Sequence, residues 1–581
     1  MTQNIDRFTV TMAPGQNLAL SAVETQDGIT FYRFHLTWTE ENAARDDAFT
    51  VSWTHPIRNI LYKWDASLQL CRNIYRAWDD NYFSMISSHA PLTCFFDGSG
   101  NNACCWSLDE CRKYVHLYSI LDDRNCLLTP RFTLPVRQYT GRTSADLTLR
   151  IDTRPVTLRQ AVADTADWWA NDCGMTPAYV PAAAKDPAYS FWYSFHQDIH
   201  DEDVVAECRR AKALGFDVCI VDDGWQTEDS SGGYAYTGDW EPAPGKFPDM
   251  AAHVAKVHDI GMKYILWYSV PFVGYYSKHY EHFRSMMLYT QDNLKAGVLD
   301  PRYKEVRDFL AGTYEKALRE WNLDGFKLDF IDSWRDGPDN APYNEKMDIP
   351  ALQDAVDVCM AEIMDRLKAI KPDILLEFRE AYIGPHMKRF GNMFRVGDCP
   401  GDFIKNRVTS LDLRMLMGDQ AVHSDMLMFT PEERPENDAL QIISVMFSVM
   451  QYSARLDRIT PETARMSKFW LDFLKAHKSL LQSRNLRTYE PHLLYTWAQV
   501  TEGRECAAAV YAIDKCIRPD PVDTLYLANG CACDRMMLEL EGTYRVRIFN
   551  CYGDETAAFT KAFDGISTLP VPMGGLAILE K

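Results

Sequence analysis

The stretch DGFKLDFID, residues 324–332, decides how this chain of 581 residues is interpreted. It is a short apolar run of the type that forms a buried parallel strand, interrupted near its C-terminal end by Lys327 and Asp329. A charge inside a buried strand is unfavourable unless it is paired or used. Two interpretations stand side by side: a structural Lys327–Asp329 pair at a sheet end, or a catalytic carboxylate at the mouth of a barrel strand, tuned by the lysine.

Around this stretch, from about residue 189, short apolar runs alternate with helical patterns, which is typical of βα units around a parallel sheet. We predict strands at 190–195, 216–221, 263–270, 324–331, 374–379, 390–396, 422–428 and 451–454, of which the seventh would also suit a loop. We predict helices at 201–214, 250–260, 303–321, 349–370, 439–450 and 461–481. This series fits a (β/α)8 barrel, and a doubly wound sheet is disfavoured because no Gly-x-Gly-x-x-Gly motif follows the first strand.

The regions on either side of the barrel are rich in β-type sequence. Residues 29–38 and 147–153 alternate polar and apolar side chains, and β-type runs return at 495–500, 507–512 and 544–549. A connector rich in proline and alanine, 174–187, marks the first boundary. The fold class we predict is multidomain α/β: an N-terminal β-sandwich at 1–170, a catalytic (β/α)8 TIM barrel at 189–485, and a C-terminal antiparallel β domain or β-sandwich at 488–581.

Length and charge narrow the class of protein. The chain is too long for one hydrophobic core, and its 61 basic and 81 acidic residues give a formal net charge of −20. This charge argues against a nucleic-acid partner or an anionic membrane surface. The N-terminus lacks the pattern of a signal peptide, and no apolar run approaches the ~18 residues that span a bilayer. We therefore expect a cytoplasmic protein with no nucleic-acid or membrane partner.

Metal binding is disfavoured by the spacing of the candidate ligands. The 16 cysteines are scattered, and neither the cluster at 94–111 nor the C-x-C motif at 531–533 has the C-x2-C spacing of a zinc site. A divalent metal held by the carboxylates described next is a competing interpretation. Those carboxylates have no well-placed histidine, however, and a lysine lies among them. We predict no metal and no cofactor.

Charged and aromatic residues recur where the predicted strands end. The ends of the second to sixth strands carry Asp222, Asp223, Trp225, Trp267, Tyr268, Lys327, Asp329, Glu377, Arg379, Glu380, Arg395 and Asp398, with Asp402 just after. In a barrel these ends meet at one rim, where the chemistry lies. Carboxylates that repel one another are hard to explain structurally at one rim. They suit a polyhydroxylated ligand, because carboxylates accept hydroxyl hydrogen bonds and tryptophan offers an apolar face to a sugar ring.

Two rim carboxylates from different strands also suit glycoside cleavage. One attacks or activates water while the other protonates the leaving oxygen. Lys327 beside Asp329 would keep Asp329 ionised, as a nucleophile requires. His196 and His423 lie near predicted strands, but an isolated histidine in such a place is more often a hydrogen-bonded packing residue than a catalyst.

Several segments between residues 190 and 430 share their order and spacing with one known family. They are VDDGW at 221–225, GDW at 238–240 with KFP at 246–248, GMKYILW at 261–267, FKLDF at 326–330, and RVGD at 395–398 with Asp402 and Arg407. Together they make the chain similar to glycoside hydrolase family 36, the α-galactosidase clan. The resemblance implies an N-terminal β-sandwich, a catalytic barrel and a C-terminal β domain, in agreement with the division above.

The resemblance also implies a retaining double displacement. Asp329 would attack the anomeric carbon, and Asp398, in preference to Asp402, would act first as the acid and then as the base. Asp222 and Asp223 would hold the C4 and C6 hydroxyls of the sugar. We predict substrate binding by Asp222, Asp223, Trp225, Trp267, Lys327, Glu377, Arg379, Arg395 and Asp402, with the two tryptophans as walls of the pocket.

The segment after the fifth strand departs from that family. Many members carry a cysteine and a glycine-rich turn there, lining the sugar's C2 position, whereas this chain has EFREAY at 377–382. Exo-acting release of terminal α-galactosyl residues from oligosaccharides is the first expectation. An α-N-acetylgalactosaminidase, another α-glycosidase or a transglycosidase of the same fold is the nearest alternative; a non-catalytic sugar-binding protein and a metal-dependent lyase or isomerase are alternatives of other classes. The expected partner is a small carbohydrate, and the sequence leaves a homo-oligomer open.

Overall fold

The computed structural model of the chain describes residues 1–74 and 82–581. Along this described part, a pair of antiparallel sheets is followed by a closed parallel barrel and then by a mainly antiparallel sheet. The predicted fold class, a TIM barrel flanked by β domains, is confirmed. No helix within the described residues is long and apolar enough to cross a membrane.

The N-terminal region is a β-sandwich whose two sheets share one hydrophobic core. Its strands are β1 (Thr2–Ile5), β2 (Phe8–Thr11), β3 (Asn17–Gln26), β4 (Ile29–Thr37), β5 (Ala48–Trp53), β6 (His55–Pro56), β7 (Tyr62–Asp65), β8 (Tyr82–Ser84), β9 (Leu92–Phe96), β10 (Asn102–Leu108), β11 (Val115–Asp122), β12 (Leu127–Pro135) and β13 (Ser144–Asp152). Among the described residues, one sheet has the order β1-β2-β5-β12-β11-β8, with β6 beside β12, and the other has β3-β4-β13-β10-β9-β7. Alternate residues of β12 are buried, as expected for a strand with one face on a core.

The central region contains the barrel. Its strands are β14 (Ala188–Ser190), β15 (Val218–Val221), β16 (Lys263–Ser269), β17 (Phe272–Gly274), β18 (Met287–Gln291), β19 (Ala296–Leu299), β20 (Gly325–Asp329), β21 (Leu375–Arg379), β22 (Met393–Arg395), β23 (Ala421–His423) and β24 (Gln451–Tyr452). The first to eighth barrel strands are β14, β15, β16, β20, β21, β22, β23 and β24, paired in parallel, with β24 beside β14. A parallel bridge between His423 and Val449 closes the ring. Strands β17, β18 and β19 form a small antiparallel sheet after the third barrel strand.

Helices cover the outside of the barrel. The α-helices of the described residues are α1 (Glu40–Ala44), α2 (Leu158–Asn171), α3 (Trp192–Phe195), α4 (Asp201–Leu214), α5 (Met250–Ile260), α6 (Tyr280–Phe283), α7 (Lys304–Trp321), α8 (Leu352–Ile370), α9 (Phe403–Met417), α10 (Pro435–Ser444), α11 (Pro461–Ala476) and α12 (Lys478–Leu481). Helix α7 shows how they dock: its Tyr314 packs edge-on against Tyr268 of the third barrel strand. Asp249 caps the start of α5 by accepting the amide hydrogen of Ala252, which satisfies a backbone donor that the helix leaves free.

The C-terminal region is one mainly antiparallel sheet with its own core. Its strands are β25 (Arg487–Tyr489), β26 (Trp497–Glu502), β27 (Glu505–Val510), β28 (Cys516–Ile517), β29 (Thr524–Asn529), β30 (Met536–Phe549), β31 (Glu555–Leu569) and β32 (Leu576–Glu580). Their order is β25-β26-β27-β29-β32-β30-β28, with β31 beside β30. Trp470 of α11 donates its indole hydrogen to the Gly574 carbonyl at 3.2 Å and so ties this sheet to the barrel.

The first barrel strand lies earlier than predicted. It is Ala188–Ser190 rather than 190–195, and most of the aromatic run after it forms the short helix α3. The Phe191 amide makes the last hydrogen bond toward the second strand, to Ile220, and the Phe195 amide then bonds the Phe191 carbonyl in a helical turn. Tertiary contacts therefore override the β propensity of the aromatic residues. The seventh strand is also shorter than predicted, because it ends at His423 and a loop follows.

Candidate active site

The inside of the barrel changes from apolar to polar along its axis. Toward the amino ends of the strands, inward side chains form an apolar cluster that includes Ile265, Leu375 and Met393. Because side chains alternate between the two faces of a strand, the residues two positions further along also point inward. Those positions carry Trp267, Lys327, Glu377, Arg395 and His423. The polar residues thus collect at the carboxyl ends of the strands, where barrel enzymes hold their active sites.

Asp329 ends the fourth barrel strand and is surrounded by donors. Its Oδ1 accepts hydrogen bonds from Arg379 Nε at 2.6 Å, the Phe330 amide at 2.8 Å and the Tyr382 hydroxyl at 3.2 Å. Its Oδ2 accepts the indole hydrogen of Trp267 at 3.1 Å. Burial alone would raise the pKa of this carboxyl, but the charges of Arg379 and Lys327 hold the pKa well below its ordinary range. Asp329 is therefore a buried carboxylate that stays ionised.

Lys327 pairs with a different carboxylate from the one first considered. Its Nζ lies 2.6 Å from Asp222 Oδ2, and Asp222 Oδ1 accepts the Asp223 amide at 3.0 Å. Burial would lower the pKa of the Lys327 ammonium, yet Asp222 keeps it above its ordinary value. The structure therefore contains a Lys327–Asp222 ion pair and not the Lys327–Asp329 pair considered from the sequence. Lys327 affects Asp329 only through its charge, which lowers the pKa of Asp329.

Asp223 is held by amides rather than by a cation. Gln197 Nε2 donates to its Oδ2 at 2.7 Å, and Gln226 Nε2 donates to its Oδ1 at 2.6 Å. Burial raises the pKa of Asp223 to about 6, and these two hydrogen bonds only partly oppose that rise. Neither glutamine was predicted from the sequence, although the position of Gln226 directly after the VDDGW motif was a usable signal.

Arg395 organises the carboxylates of the sixth and seventh strands. Its guanidinium lies 2.8 Å from Asp398 Oδ1 and 2.6 Å from Asp425 Oδ1, and 3.8 Å from Glu377 Oε1. Burial would raise the pKa of Asp398, but Arg395 lowers it below its ordinary value. The Asp398 side chain remains 55% exposed, which gives it access to water and to a leaving group. Glu377, by contrast, is fully buried and accepts a hydrogen bond from Gln451. It therefore contributes negative charge beside Arg395 and is not accessible to a substrate.

Asp425 and Tyr193 were not predicted and belong to this half of the rim. Asp425 Oδ2 accepts the Cys399 amide at 2.6 Å and the Tyr193 hydroxyl at 3.0 Å, so it fixes both the loop after Asp398 and the turn after the first strand. They were missed because the first and seventh strands were predicted to run past them. His423 is a packing residue: its Nε2 lies 2.8 Å from the Ala184 carbonyl, and burial lowers its pKa to about 4.

The two predicted wall tryptophans have different positions. Trp267 points into the barrel, where it binds Asp329 and is stacked by Tyr234 with ring centroids 6.3 Å apart. Trp225 lies in the layer between the barrel and α7, because it packs on the outward-facing Tyr268 at 5.3 Å and on Trp321 at 5.7 Å. The prediction that Trp225 lines the pocket is therefore corrected. Half-buried Tyr234, which the sequence analysis missed, lies on the inner side instead.

Asp402, which we predict to bind substrate, lies at the N-terminus of α9. Its side chain accepts the Lys405 amide at 2.9 Å and caps the N-terminus of α9. Of the two aspartates in this segment, Asp398 is the one beside Arg395 at the rim. Within the described residues, no group of three or more histidine, cysteine, aspartate or glutamate side chains is arranged to hold a metal ion.

Arg379 lies in the segment 377–382, where the sequence departs from the family that it resembles. Its guanidinium lies between the rings of Phe330 and Tyr382, with its central carbon 5.4 Å and 5.6 Å from their centroids. Glu380 follows it, and its Oε2 accepts the Gly397 amide at 3.1 Å. Burial raises the pKa of Glu380 to about 7. The rim therefore carries a large cation beside Asp329 and a second carboxyl group behind the loop of Asp398.

A cavity of about 1050 Å³ lies elsewhere, between helix α2 and the C-terminal sheet. Its wall includes Tyr489 stacked on Trp497 with ring centroids 3.7 Å apart. Three of its cationic side chains pair with carboxylates of the same wall: Lys515 with Glu490, Arg487 with Asp520 and Arg518 with Glu539. This cavity lies away from the carboxyl ends of the barrel strands, where barrel enzymes hold their active sites, so we assign the chemistry to the strand ends.

Comparison with known proteins points to the same strands. Residues 188–382 match the family model Melibiase. Alpha-galactosidase Mel36A of Lactobacillus acidophilus is 27% identical over 200 residues, which are 32% of this chain and 26% of that protein. Bifunctional alpha-galactosidase/sucrose kinase AgaSK of Mediterraneibacter gnavus is 26% identical over 196 residues, 32% of this chain and 19% of that protein. The matched stretches thus span 26% and 19% of the length of these two relatives.

Solved structures extend the likeness to the whole fold. The chain superposes on the GH36 alpha-galactosidase AgaA from Geobacillus stearothermophilus, solved in complex with raffinose, with a TM-score of 0.65. The superposition covers 99% of this chain and 81% of that one at 14% sequence identity, so it establishes the fold. Together with the Melibiase match, it confirms the resemblance to glycoside hydrolase family 36.

Proposed function

From the Melibiase domain at residues 188–382, we propose that this protein is a retaining, exo-acting glycosidase that releases terminal α-galactosyl residues from oligosaccharides. The observation that carries the proposal is the state of Asp329. A carboxylate at the end of a barrel strand, held ionised by two cations and oriented by four hydrogen bonds, is prepared to attack an electrophilic carbon. A sugar's anomeric carbon is the electrophile that such a rim suits.

In the first step, Asp329 attacks the anomeric carbon and the glycosidic bond breaks. The leaving oxygen needs a proton, which Asp398 supplies as the general acid. Arg395 lowers the pKa of Asp398 in the free protein, so this role requires that the bound sugar raise that pKa by shielding the carboxyl group from water and from Arg395. Asp398 suits this role because its side chain is more than half exposed at the rim, two barrel strands from Asp329. The products of this step are the free leaving group and a glycosyl ester of Asp329.

In the second step, the Asp398 carboxylate removes a proton from water, and the water oxygen attacks the anomeric carbon. Arg395 favours this base form, because it lowers the pKa of Asp398. Two displacements at one carbon return the original configuration, so the released sugar is the α-anomer.

Recognition of the sugar rests on Asp222 and Asp223. Both are buried at the end of the second strand, and each has carboxylate lone pairs to accept sugar hydroxyls besides the hydrogen bonds described above. The AgaA structure was solved with raffinose, an α-galactoside, and this supports the choice of glycone. The family resemblance implies that the segment after the fifth strand faces C2. Arg379 and Tyr382 fill space there, so we favour a sugar with a plain C2 hydroxyl over an N-acetyl sugar.

A hydrolysis screen tests the proposal. The purified protein is assayed on the 4-nitrophenyl α-galactoside, α-N-acetylgalactosaminide, α-glucoside and β-galactoside, with Asp329→Ala as the control. We expect cleavage of the α-galactoside alone, loss of that activity in the control, and α-galactose as the first product seen by NMR. Cleavage of another α-glycoside would reassign the sugar, and β-galactose as first product would contradict the retaining mechanism. Absence of cleavage, with natural α-galactosides also intact, would favour a sugar-binding protein.

A further inference from the structure

The two oxygens of Asp329 are in unequal environments. Oδ1 receives three hydrogen bonds, from Arg379, the Phe330 amide and Tyr382. Oδ2 receives one, from Trp267. A carboxylate oxygen offers about two lone pairs, so Oδ1 is saturated while Oδ2 keeps a lone pair for another atom.

Arg379 is held firmly in the position from which it binds Oδ1. The rings of Phe330 and Tyr382 flank its guanidinium, and its Nη1 donates to the Glu380 carbonyl at 2.7 Å. The planar guanidinium has one edge left, the one that carries Nη2.

Asp332 lies on that remaining edge. Its Oδ1 is shielded from solvent, has no hydrogen-bond partner, and lies 3.7 Å from Arg379 Nη2. A shielded acceptor without a donor is unfavourable, so such an atom calls for an explanation. Burial raises the pKa of Asp332, Arg379 lowers it and the charge of Asp329 raises it again. The two carboxylates therefore compete for one arginine.

We propose that Arg379 is a positioning residue that serves the two carboxylates in turn: it holds Asp329 so that Oδ2 attacks the sugar, and it pairs with Asp332 once Asp329 has become an ester. The proposal rests on the proposed glycosidase function and deepens it. It assigns roles to Arg379, Tyr382 and Asp332, and it gives the unpartnered oxygen of Asp332 a purpose.

The charges and bonds balance through both steps. A lone pair of Asp329 Oδ2 forms the bond to the anomeric carbon, and the electron pair of the breaking glycosidic bond leaves on an oxygen that takes the proton of Asp398. Asp329 is then uncharged, its Oδ1 is a carbonyl oxygen, and Arg379 keeps a full positive charge. Asp332 is the neighbouring carboxylate that can then pair with Arg379. When water attacks, the pair of the C–Oδ2 bond returns to Asp329, whose restored charge draws Arg379 back.

Arg379 should therefore act differently on the two steps. Because it stabilises the Asp329 anion, it makes Asp329 a weaker nucleophile and a better leaving group. Asp332 weakens this hold in the first step by competing for Arg379. The two rates can be separated by stopped-flow release of 4-nitrophenol, in which a burst reports the first step and the steady phase reports the second.

The first test uses Arg379→Gln and Arg379→Lys, with Arg389→Gln as the matched control. Arg389 is also half-buried, beside Asp357 and over the ring of Phe390, but it lies outside the site. We expect Arg379→Gln to raise the acidic limb of the burst rate, measured at saturating substrate so that protonation of Asp223 does not set it, by about one to three pH units, since an adjacent opposite charge shifts a carboxyl pKa by that amount. Arg379→Lys should restore most of the limb's position but not the rate. An acidic limb that does not move in Arg379→Gln would overturn the proposal.

The second test uses Asp332→Asn and Tyr382→Phe. Without Asp332, Arg379 stays on Asp329, so the burst should slow by roughly three- to tenfold, a change of about one pKa unit or less in the nucleophile. The steady phase should be unchanged or faster. Tyr382→Phe removes one donor from Oδ1 and should slow the second step more than the first, because the Asp329 anion becomes a poorer leaving group. Equal slowing of both steps in Asp332→Asn would show that Asp332 is only structural.

A third measurement needs no substrate and separates failure of this inference from failure of the proposed function. Pairing lowers the pKa of folded Asp329, so its stabilising effect is present above the ordinary carboxyl pKa and fades as the pH falls below it. Melting temperatures of the wild type and Arg379→Gln should therefore differ at about pH 7; the difference should persist to about pH 4 and narrow only at lower pH, as the wild-type Asp329 takes up its proton. A gap that is constant with pH would overturn the pairing itself, while the expected convergence in a protein that cleaves no glycoside would overturn only the proposed function.

Discussion

The two halves of the rim hold their key aspartates in opposite ways. On the side of the second to fifth strands, the Asp329 side chain is 10% exposed and four donors orient it. On the side of the sixth, seventh and first strands, the Asp398 side chain is 55% exposed and contacts Arg395 as its ion-pair partner. Both aspartates sit beside an arginine, so the difference lies in the number of contacts and in the access of water.

This difference matches what each proposed role requires. A nucleophilic carboxylate must stay ionised and keep a fixed orientation toward the sugar, and the hydrogen bonds to Asp329 provide both. An acid that later acts as a base must exchange its proton with the leaving group and with water, which requires exposure. On the side of Asp398 the carboxylate is fixed indirectly. Asp425 and Glu377 lie against Arg395, and Arg395 in turn pairs with Asp398.

Asp329→Asn, in the first half of the rim, should have the largest effect on activity. The amide keeps the size of the side chain but removes the charge that attacks, so we expect turnover of 4-nitrophenyl α-galactoside to fall by roughly four to six orders of magnitude. Azide should not restore a product of retained configuration, as NMR would show. Asp472→Asn on α11, exposed and paired with Lys468, is the control and should keep full activity. Residual activity within about a hundredfold of the wild type would exclude Asp329 as the nucleophile.

Asp398→Ala should produce a loss that depends on the substrate. For a disaccharide, whose leaving group needs a proton, we expect about 10²- to 10⁴-fold lower kcat/KM. For an activated aryl galactoside the loss should be much smaller in the first step, because that leaving group departs without a proton. Initial rates on both substrates give the comparison. If both fall by the same factor, Asp398 is not the acid.

The sequence alone predicted most of the barrel, because its strands and helices are patterned independently of the site. Helices α4 and α5 begin and end where predicted, since their apolar spacing and caps are local features. The first strand was misplaced because its end is set by a hydrogen bond from Phe191 to a residue of the second strand, about thirty positions away. Such a contact leaves no mark on the local pattern.

The site residues divide in the same way, into those that the local sequence predicts and those that depend on distant contacts. Asp222, Lys327 and Asp329 lie directly at strand ends and could be named from the sequence. The partnership of Lys327 with Asp222 could not, because it depends on which strands become neighbours and on the inward register. Asp425 could not either, because it acts on Arg395 from a segment that the sequence left open between a strand and a loop.

Asp425→Asn should separate the two halves of the rim, because it weakens contacts only around Arg395 and Asp398. The variant leaves Arg395 with one fewer carboxylate and weakens the hold on the Cys399 amide, so the loop that carries Asp398 becomes less fixed. We expect kcat/KM on the disaccharide to fall by roughly ten- to a hundredfold, and the pH dependence of the activity to shift, since Arg395 can turn more fully to Asp398. The burst on the aryl substrate should change little. A large loss of that burst would mean that Asp425 supports the whole barrel.

The smallest effect concerns Asp223, the member of the first half that has no cation. Burial raises its pKa to about 6, so it loses its charge within the working pH range, whereas Asp329 does not. A protonated carboxyl accepts sugar hydroxyls less well, so KM for the α-galactoside should rise by about three- to tenfold as the pH falls from about 7 to about 5. Because Asp329 stays ionised over that interval, kcat should change less than KM. Asp223→Asn should give a high KM that no longer depends on pH in this range; a wild-type KM that is flat with pH would show that Asp223 binds the sugar without its charge.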